Sequence, residues 1–547
     1  VNKSNNLRDF FQEDISFIDD HQAVLNVSIL DRLYPSLEKL RVDFGYILLV
    51  DIFGQDLSAL STQASSDKPF QVTYVLLNME YHHRIRVNVF VDLDSGDVLP
   101  SVTGLWPCAK WCEVEASEMF GIAFGDSSKL RLLTKNDLQG YPLRKSFKFS
   151  DEQCGRSSLE KNSQELFSTD HIKEKYKKNF IDEFSIGPIH PAMKGAMMLH
   201  LQVEGDDIIQ SKLEVGFLHR AIEKSVESKR YSQIIGLTDR LNYFSSASNN
   251  VGWTKAVEEL VGLEISDRAK AMRMVVCELA RITDHAQCIG SMAQGAKILE
   301  SFEITLKIRK IIFSLFEQLC GARVTHGITR IGGMAYELPN GWSNDCLLDL
   351  KQVSKYVDEI ESYLTKNTLW MDKLATASLK AYDAISWGIT GPNLRACGVN
   401  YDIRKVSPYY FYEDVDFKIP LGINGDSYDR YLVRLEEIRQ SVKIITQVLD
   451  SLPPGKMLSD DLVTELDLSL LGFKSDAGEI YSMTEAPNGE LGFYIRSDSQ
   501  VCPYRVKIRP PSFFSAQAFP SLLEGVRVAD AMVSLSSMNI VAGELDR

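Results

Sequence analysis

Ser266–Ala293, SDRAKAMRMVVCELARITDHAQCIGSMA, is the stretch whose pattern sets the architecture. Ala269, Met272, Val276, Leu279 and Ile282 recur every three or four residues and share one face of a helix. Glu278, Arg281 and His285 recur at i, i+3 and i+7, also on one face. Ionisable groups set into an otherwise apolar helix predict a buried network, either structural or proton-handling. Ile304–Leu319, Leu347–Leu374 and Tyr428–Leu449 repeat the amphipathic pattern. Several helices of that length predict a bundle.

Strands flank the bundle on both sides. Met197–Val215 alternates around Gly205-Asp206-Asp207 and reads as a hairpin. Thr484–Pro510 returns to strand character and stops at Pro510 and Pro511. Nearer the N-terminus, Gly45–Phe53, Val72–Leu77 and Ile85–Asp92 read as strands, with a turn at Ser95-Gly96-Asp97. Alternation over Ile85–Asp92 predicts a sheet with one face better buried than the other. Trp106–Gly121 suits a helix, with Pro107 near its start and Gly121 ending it, whereas residues 1–35 read as helix and coil. Residues 151–182 turn polar, with KEKYKK at 173–178, and mark the best domain boundary. The expected fold class is α+β multidomain: an α/β module over 1–150, a linker over 151–183, and a mainly helical domain with small sheets over 184–547.

Composition narrows the function. At roughly 100–200 residues per domain, 547 residues allow about three domains. A net charge of −14 argues against coating nucleic acid. Nine cysteines are too few for a disulfide scaffold, and an odd count favours a reducing compartment. No run of 18 apolar residues predicts a membrane span, and Val1–Asp20 lacks the apolar core of a signal peptide. Other subunits would supply any spans.

No CxxC, GxGxxG or GxxxxGK[ST] is present. Cys108 and Cys112 share a helix face and read as small apolar fillers. His82 and His83 would sit on adjacent strand positions with rings on opposite faces, which is poor metal geometry. The expectation is therefore that no cofactor is bound by this chain alone. In Gly187–Gly195 (GPIHPAMKG), two Pro and two Gly fix the backbone around His190 and Lys194. Such a loop can position proton donors, and a surface turn is the plainer reading. In Thr238–Tyr243 (TDRLNY), Asp239 and Arg240 lie about one helical turn before Tyr243, and a structural ion-pair network is the plainer reading. Arg323 and His326 also fall within one turn of each other.

Taken together, GPIHPAMKG, GFLHRAIEK, LTDRLNYFS, ELARITDH, GARVTHGITRIGG, RACGVNYDIRK, GDSYDRYLVRLEEIRQS, EAPNGELGFYIRSD, PYRVKIRPPSF and GELDR resemble the 49 kDa, or D, subunit family of respiratory complex I. WPCAKWCEVEASEMFGIAF and YPLRKSF resemble its 30 kDa, or C, partner. Both in one chain resemble the fused C/D subunit of bacterial NADH–quinone oxidoreductase, over roughly residues 35–149 and 184–547.

The resemblance implies a D part with the fold of the [NiFe]-hydrogenase large subunit, without its metal. It implies a H⁺-translocating NADH:quinone oxidoreductase on the cytoplasmic face of the bacterial inner membrane. Quinone (ubiquinone or menaquinone) would be the substrate at a shared site. FMN and iron–sulfur clusters would sit on partner subunits: a B subunit that holds the terminal [4Fe–4S] cluster, I and H subunits, and the rest of the peripheral arm. A ferredoxin- or deazaflavin-fed complex, or a scaffold with a degenerate site, stands as the alternative.

The family's quinone tyrosine aligns with Tyr243, and its quinone histidine falls on Lys194, with His190 earlier in the same loop. The arginine beside the terminal cluster aligns with Arg220, and the cluster-linked histidine with Thr325, one residue before His326. The carboxylate that usually pairs with the quinone histidine falls on Gly295. Asp239, Arg240, Glu278, Arg281 and Arg323 match the family; Asp239, Arg240, Glu278, Arg281 and His285 form the expected charge network, and Arg323, Thr325 and His326 are expected with Arg220 near the partner subunit's iron–sulfur cluster. A lysine is a stronger base than histidine by about four units in water, and burial lowers it.

Overall fold

A computed structural model describes residues 7, 10–11, 14–19, 21–60, 68–125, 131–134, 138–148, 181–458 and 477–547. The chain forms two compact units. One comprises Val1–Asn179 with Glu214–Gly216 and Ile385–Gly388; the other comprises Phe180–Leu213, Phe217–Ala384 and Ile389–Arg547. The expected linker falls almost wholly outside the described residues.

The first unit is built on a five-stranded sheet of β1 (Ile15–Phe17), β2 (Gln22–Val27), β3 (Leu48–Asp56), β4 (Phe70–Asn78) and β5 (His83–Val91), ordered β1-β2-β5-β4-β3. Within this sheet β2 and β5 run parallel, and the pairs β1–β2, β3–β4 and β4–β5 are antiparallel. Helix α1 (Leu33–Val42) follows β2, and α2 (Ala109–Phe120) packs on β3. The structure corrects three expectations in this unit. Residues 1–35 include two strands, because Ala23, Leu25 and Val27 alternate into the core while β2 pairs with β5. β5 is buried on both faces: Arg84, Arg86 and Asn88 are buried along with Ile85, Val87 and Val89. His82 lies in the turn before β5, so the two histidines are not strand neighbours.

Helix α2 has buried acids because loops need them. Glu113 accepts from the Val102 amide at 2.7 Å, and Glu118 from the Leu132 and Leu133 amides at 2.9 and 3.1 Å. Buried carboxylates are tolerated where several donors satisfy them.

In the second unit, β6 (Ile181–Ile186), β7 (Met198–Glu204) and β8 (Asp207–Glu214) form a sheet, with the hairpin turn at Gly205-Asp206 as expected. Helices α3 (Ser246–Val261), α4 (Asp267–Gly295), α5 (Leu299–Cys320), α6 (Trp342–Leu364), α7 (Thr368–Leu374) and α8 (Ser427–Asp450) follow. The single helix expected over Leu347–Leu374 is two, since Asn367 caps a new start by accepting from the Trp370 amide at 3.2 Å. The meander β9 (Gly478–Ala486), β10 (Gly489–Ser497) and β11 (Arg505–Arg509) comes next, then α9 (Pro511–Leu522) and α10 (Val528–Met538).

Helix α4 is the axis of this unit. At 29 residues it is about 44 Å long, from a rise of about 1.5 Å per residue. It packs against α3, α5, α8 and α10. Its apolar stripe is as expected, but the opposite face is not solvated: Arg273, Glu278, Arg281, Asp284 and His285 are all fully buried. The architecture is α+β. Among the described residues, no helix is long and apolar enough to cross a membrane.

Candidate functional site

The buried charges of α4 draw in residues from distant segments. Glu278 takes Arg281 at 3.1 Å, Arg404 at 3.0 Å, the Tyr412 hydroxyl at 2.7 Å and the Ser441 hydroxyl at 2.6 Å. Its neighbours outweigh its burial and hold its carboxyl down at about 2. Arg404 also pairs with Asp402 at 2.7 Å, while Arg395 bridges Asp402, Glu437 and Glu485 at 3.4, 2.8 and 2.9 Å. Burial and the adjacent Asp402 push the Glu485 carboxyl up. His285 continues the chain from α4: its Nε2 meets Glu437 at 2.7 Å and its Nδ1 accepts from Arg434 at 3.2 Å. An arginine donates only, so Nδ1 is the acceptor and Nε2 carries the proton. Burial, the largest influence, holds His285 neutral, down at about 4.

Lys194 lies at the edge of this region, in the GPIHPAMKG loop. The loop closes on the segment after α10: the Ala542 amide donates to the Lys194 carbonyl at 2.9 Å. Gly195, at φ +110°, permits this approach, since a Cβ there would stand 2.7 Å from the Ala542 Cβ. The Lys194 side chain is 5% exposed. Its Nζ donates to the Asn539 side-chain oxygen and to the Ser536 carbonyl, the latter at 3.4 Å. Burial lowers its basicity and nearby Arg434 adds to this, while Cys288 and Asp284 oppose it. Lys194 is thus no surface residue. His190 is half-buried and turns inward on its own loop, where its Nδ1 accepts from the Ala192 amide at 3.2 Å.

Tyr243 packs beside the same segment, at Gly543. A Cβ on Gly543 would lie 3.6 Å from the Tyr243 ring and 2.6 Å from the Leu241 carbonyl. Tyr243 is half-buried, and among the described residues nothing hydrogen-bonds its hydroxyl. Burial and Asp284 push that hydroxyl up to about 12, so it stays protonated and able to donate. Arg220 donates to the Arg240 and Gly543 carbonyls at 2.8 and 3.1 Å, and the Gly327 amide donates to Asp239 at 3.3 Å. Arg240 bonds the Gly236 carbonyl on its own turn rather than Asp239.

The 323–327 loop divides. Arg323 points out and pairs with Glu317 at 2.8 Å, its side chain 66% exposed. Thr325 is half-buried at φ +55°. His326 is buried, stacked 3.7 Å from Phe316, and bonded to the Ser246 hydroxyl at 2.8 Å and the Arg323 carbonyl at 3.1 Å. Burial holds it neutral, down at about 4. Both ring nitrogens are occupied, so His326 anchors its loop. Gly295, near the end of α4, packs on Val533, where a Cβ would come within 3.0 Å.

The structure therefore gathers Lys194 and Tyr243 about one segment, and Glu278, Arg281 and His285 into one ion network. Arg323 and His190 stand apart from both. Sequence reasoning missed Asp284, Asn242, Asn539, Asn488, Arg434 and Glu437. Asp284 shares a helix face with Arg281 and Cys288 at i−3 and i+4, a signal present in the quoted stretch. Among the described residues, no group of His, Cys, Asp or Glu is arranged to hold a metal ion, and no cysteine is joined in a disulfide.

Residues 298–547 match the family described as respiratory-chain NADH dehydrogenase, 49 Kd subunit, and residues 29–153 match the 30 Kd subunit. The C/D subunit of NADH-quinone oxidoreductase from Bdellovibrio bacteriovorus is 41% identical over 531 residues, covering 93% of this chain and 92% of its own. The corresponding C/D subunit of a Hydrogenobaculum species is 36% identical, covering 94% of each chain. The D subunit of the Myxococcus xanthus NADH-quinone oxidoreductase is 40% identical, covering 66% of this chain and 92% of its own.

Proposed function

Because the chain belongs to the C/D subunit family of NADH-quinone oxidoreductase, and so is part of that respiratory-chain enzyme, we propose that Lys194 and Tyr243 line the site where quinone is reduced. In this reading residues 1–150 are the C part and 184–547 the D part, joined by 151–183. The D part carries a hydrogenase-like fold without the metal and sits beside a B subunit, and I and H subunits complete its surroundings. The whole is held at the cytoplasmic face of the membrane.

One observation carries the reading. A half-buried tyrosine with an uncommitted hydroxyl and a buried lysine both sit beside Asp284 and the segment Ser536–Gly543, inside a unit otherwise rich in directly paired charge. Reducing a quinone to a quinol takes two electrons and two protons. The electrons would come from a [4Fe–4S] cluster of the B subunit. The Tyr243 hydroxyl would donate a hydrogen bond to one carbonyl oxygen, orienting the ring. Lys194 uses two of its three N–H groups on Asn539 and Ser536 and would offer the third toward the other carbonyl. The burial of Lys194 strengthens its bond. Arg220 would face the cluster, with Thr325 and the His326-anchored loop beside it. The change of charge would pass along Asn488, Arg434 and His285 into the arginine–carboxylate network.

Lys194→Met and Tyr243→Phe should be built into the assembled complex and quinone reduction measured beside NADH oxidation by a water-soluble acceptor. The reading predicts a loss of at least tenfold in quinone turnover for each, with the second activity retained. Unchanged turnover in either would contradict it, and unchanged turnover in both would favour a scaffold with a degenerate site.

A further inference from the structure

The geometry points to Asp284 as the positioning residue of this site, holding Tyr243 and Lys194 in place together through two asparagine amides. The inference rests on the quinone-site reading and deepens it.

Donors and acceptors fix how each amide is turned. Lys194 Nζ can only donate, so the Asn539 oxygen must face it. The Asn539 amide nitrogen then faces the Asp284 carboxylate and the Asn488 oxygen, the latter at 2.5 Å. On the other side, the Asn242 oxygen accepts from the Phe244 amide at 3.1 Å, which turns its nitrogen onto Asp284 at 2.6 Å. Both oxygens of Asp284 therefore accept from N–H groups, the pattern of an ionised carboxylate. Asn242 spans Tyr243 by gripping the residue after it, so the turn bearing the tyrosine hangs on Asp284. Asn249 reinforces that turn by donating to the Asn242 carbonyl at 3.0 Å.

The same carboxylate sets the charge felt by Lys194. Asp284 and Cys288 of α4 favour its protonated form, and Arg434 of α8 disfavours it. Around Asp284 itself stand Tyr243, His285 and Glu544, the last bonded to the Ser512 hydroxyl. His285 is neutral at pH 7, and burial pushes Glu544 up to about 8, so it is largely uncharged there. Asp284 reaches Lys194 only through Asn539, a linkage weaker than direct pairing. That suits a lysine required to give up a proton and recover it.

The test uses the assembled complex. Asp284→Asn presents a second amide to Asn242 and Asn539 and removes the charge. Quinone turnover should fall at least tenfold, and the basic limb of its pH profile should move to lower pH, because Lys194 then loses its proton sooner. Asp284→Asn combined with Asn539→Asp returns a carboxylate directly to Lys194 and should restore that limb to wild-type pH or above. A wild-type profile in Asp284→Asn overturns the inference, as does a uniform loss at every pH without recovery in the double variant. Failure of both these variants and of Asp284→Glu to assemble would assign Asp284 a purely structural part and also overturn it. Lys194→Met is run in parallel. If it leaves turnover unchanged, the site reading itself fails; if it abolishes turnover while Asp284→Asn does not, only this inference fails.

Discussion

Two neighbouring regions bury charge in different ways. In the core, Arg281, Arg395 and Arg404 touch the carboxylates of Glu278, Asp402, Glu437 and Glu485 directly, at 2.7–3.4 Å where they pair. At the edge, Lys194 touches no carboxylate among the described residues, and an asparagine stands between it and Asp284. Direct pairing raises the cost of changing protonation, because removing either charge strands the other. An interposed amide lets the charge state change at lower cost. In the proposed reading the core holds the fold and receives the change of charge, and the edge carries the chemistry.

The sharpest way to break that comparison is Glu278→Ala. It strands Arg281 and Arg404 in the interior, a loss of about 3–5 kcal/mol. Little assembled complex should be recovered, and a wild-type yield would mean the network is dispensable. Tyr243→Phe ranks next. It removes one hydroxyl to which no described residue is bonded, so the complex should assemble normally while quinone turnover falls by roughly ten- to a hundredfold, from the loss of about 1.5–3 kcal/mol, that of a hydrogen bond to a charged group.

Acid sharpens the contrast further. Glu278 is held at about 2 against an ordinary value near 4.3, so its stabilising contribution is full above about pH 4.3 and is lost as pH falls toward 2. His285 is held at about 4 against about 6.5, so the unfolded chain takes up that proton first, and its contribution is lost between about pH 6.5 and 4. Glu485 and Glu544, both raised, act the other way over this range, so His285 is read from the difference between variant and wild type. Between about pH 7 and 5 the thermal transition of His285→Gln should lose less, or gain more, than that of the wild-type complex, and an identical pH dependence would remove His285 from the account. The smallest effect belongs to Arg323→Ala. Its ion pair with Glu317 is exposed, so the thermal transition should move by the equivalent of less than about 1 kcal/mol.

Much of this was legible in the sequence. The stripe on α4, the hairpin at Gly205-Asp206 and the strands around Val72 and Val87 follow from periodicity alone. Helix α2 ends at Gly121 in the left-handed conformation, as its glycine implied. The break at Asn367 was hidden because the amphipathic pattern runs on through it. The early strands were hidden because β2 draws its stability from pairing with β5, about sixty residues distant in the chain. Tyr243 and Lys194 were found through motif likeness, whereas Asp284 and Asn539 were not. An aspartate beside a histidine looks ordinary until the fold brings residue 539 against it. Amide bridges between residues so far apart leave no local period to read.

The central claim is that the quinone headgroup binds between Tyr243 and Lys194. A density map of the assembled complex with a short-chain quinone tests it most directly. The account predicts one carbonyl oxygen about 2.7 Å from the Tyr243 hydroxyl and the other within about 3 Å of the Lys194 ammonium nitrogen. A headgroup bound elsewhere, with Tyr243 still uncommitted, would contradict it.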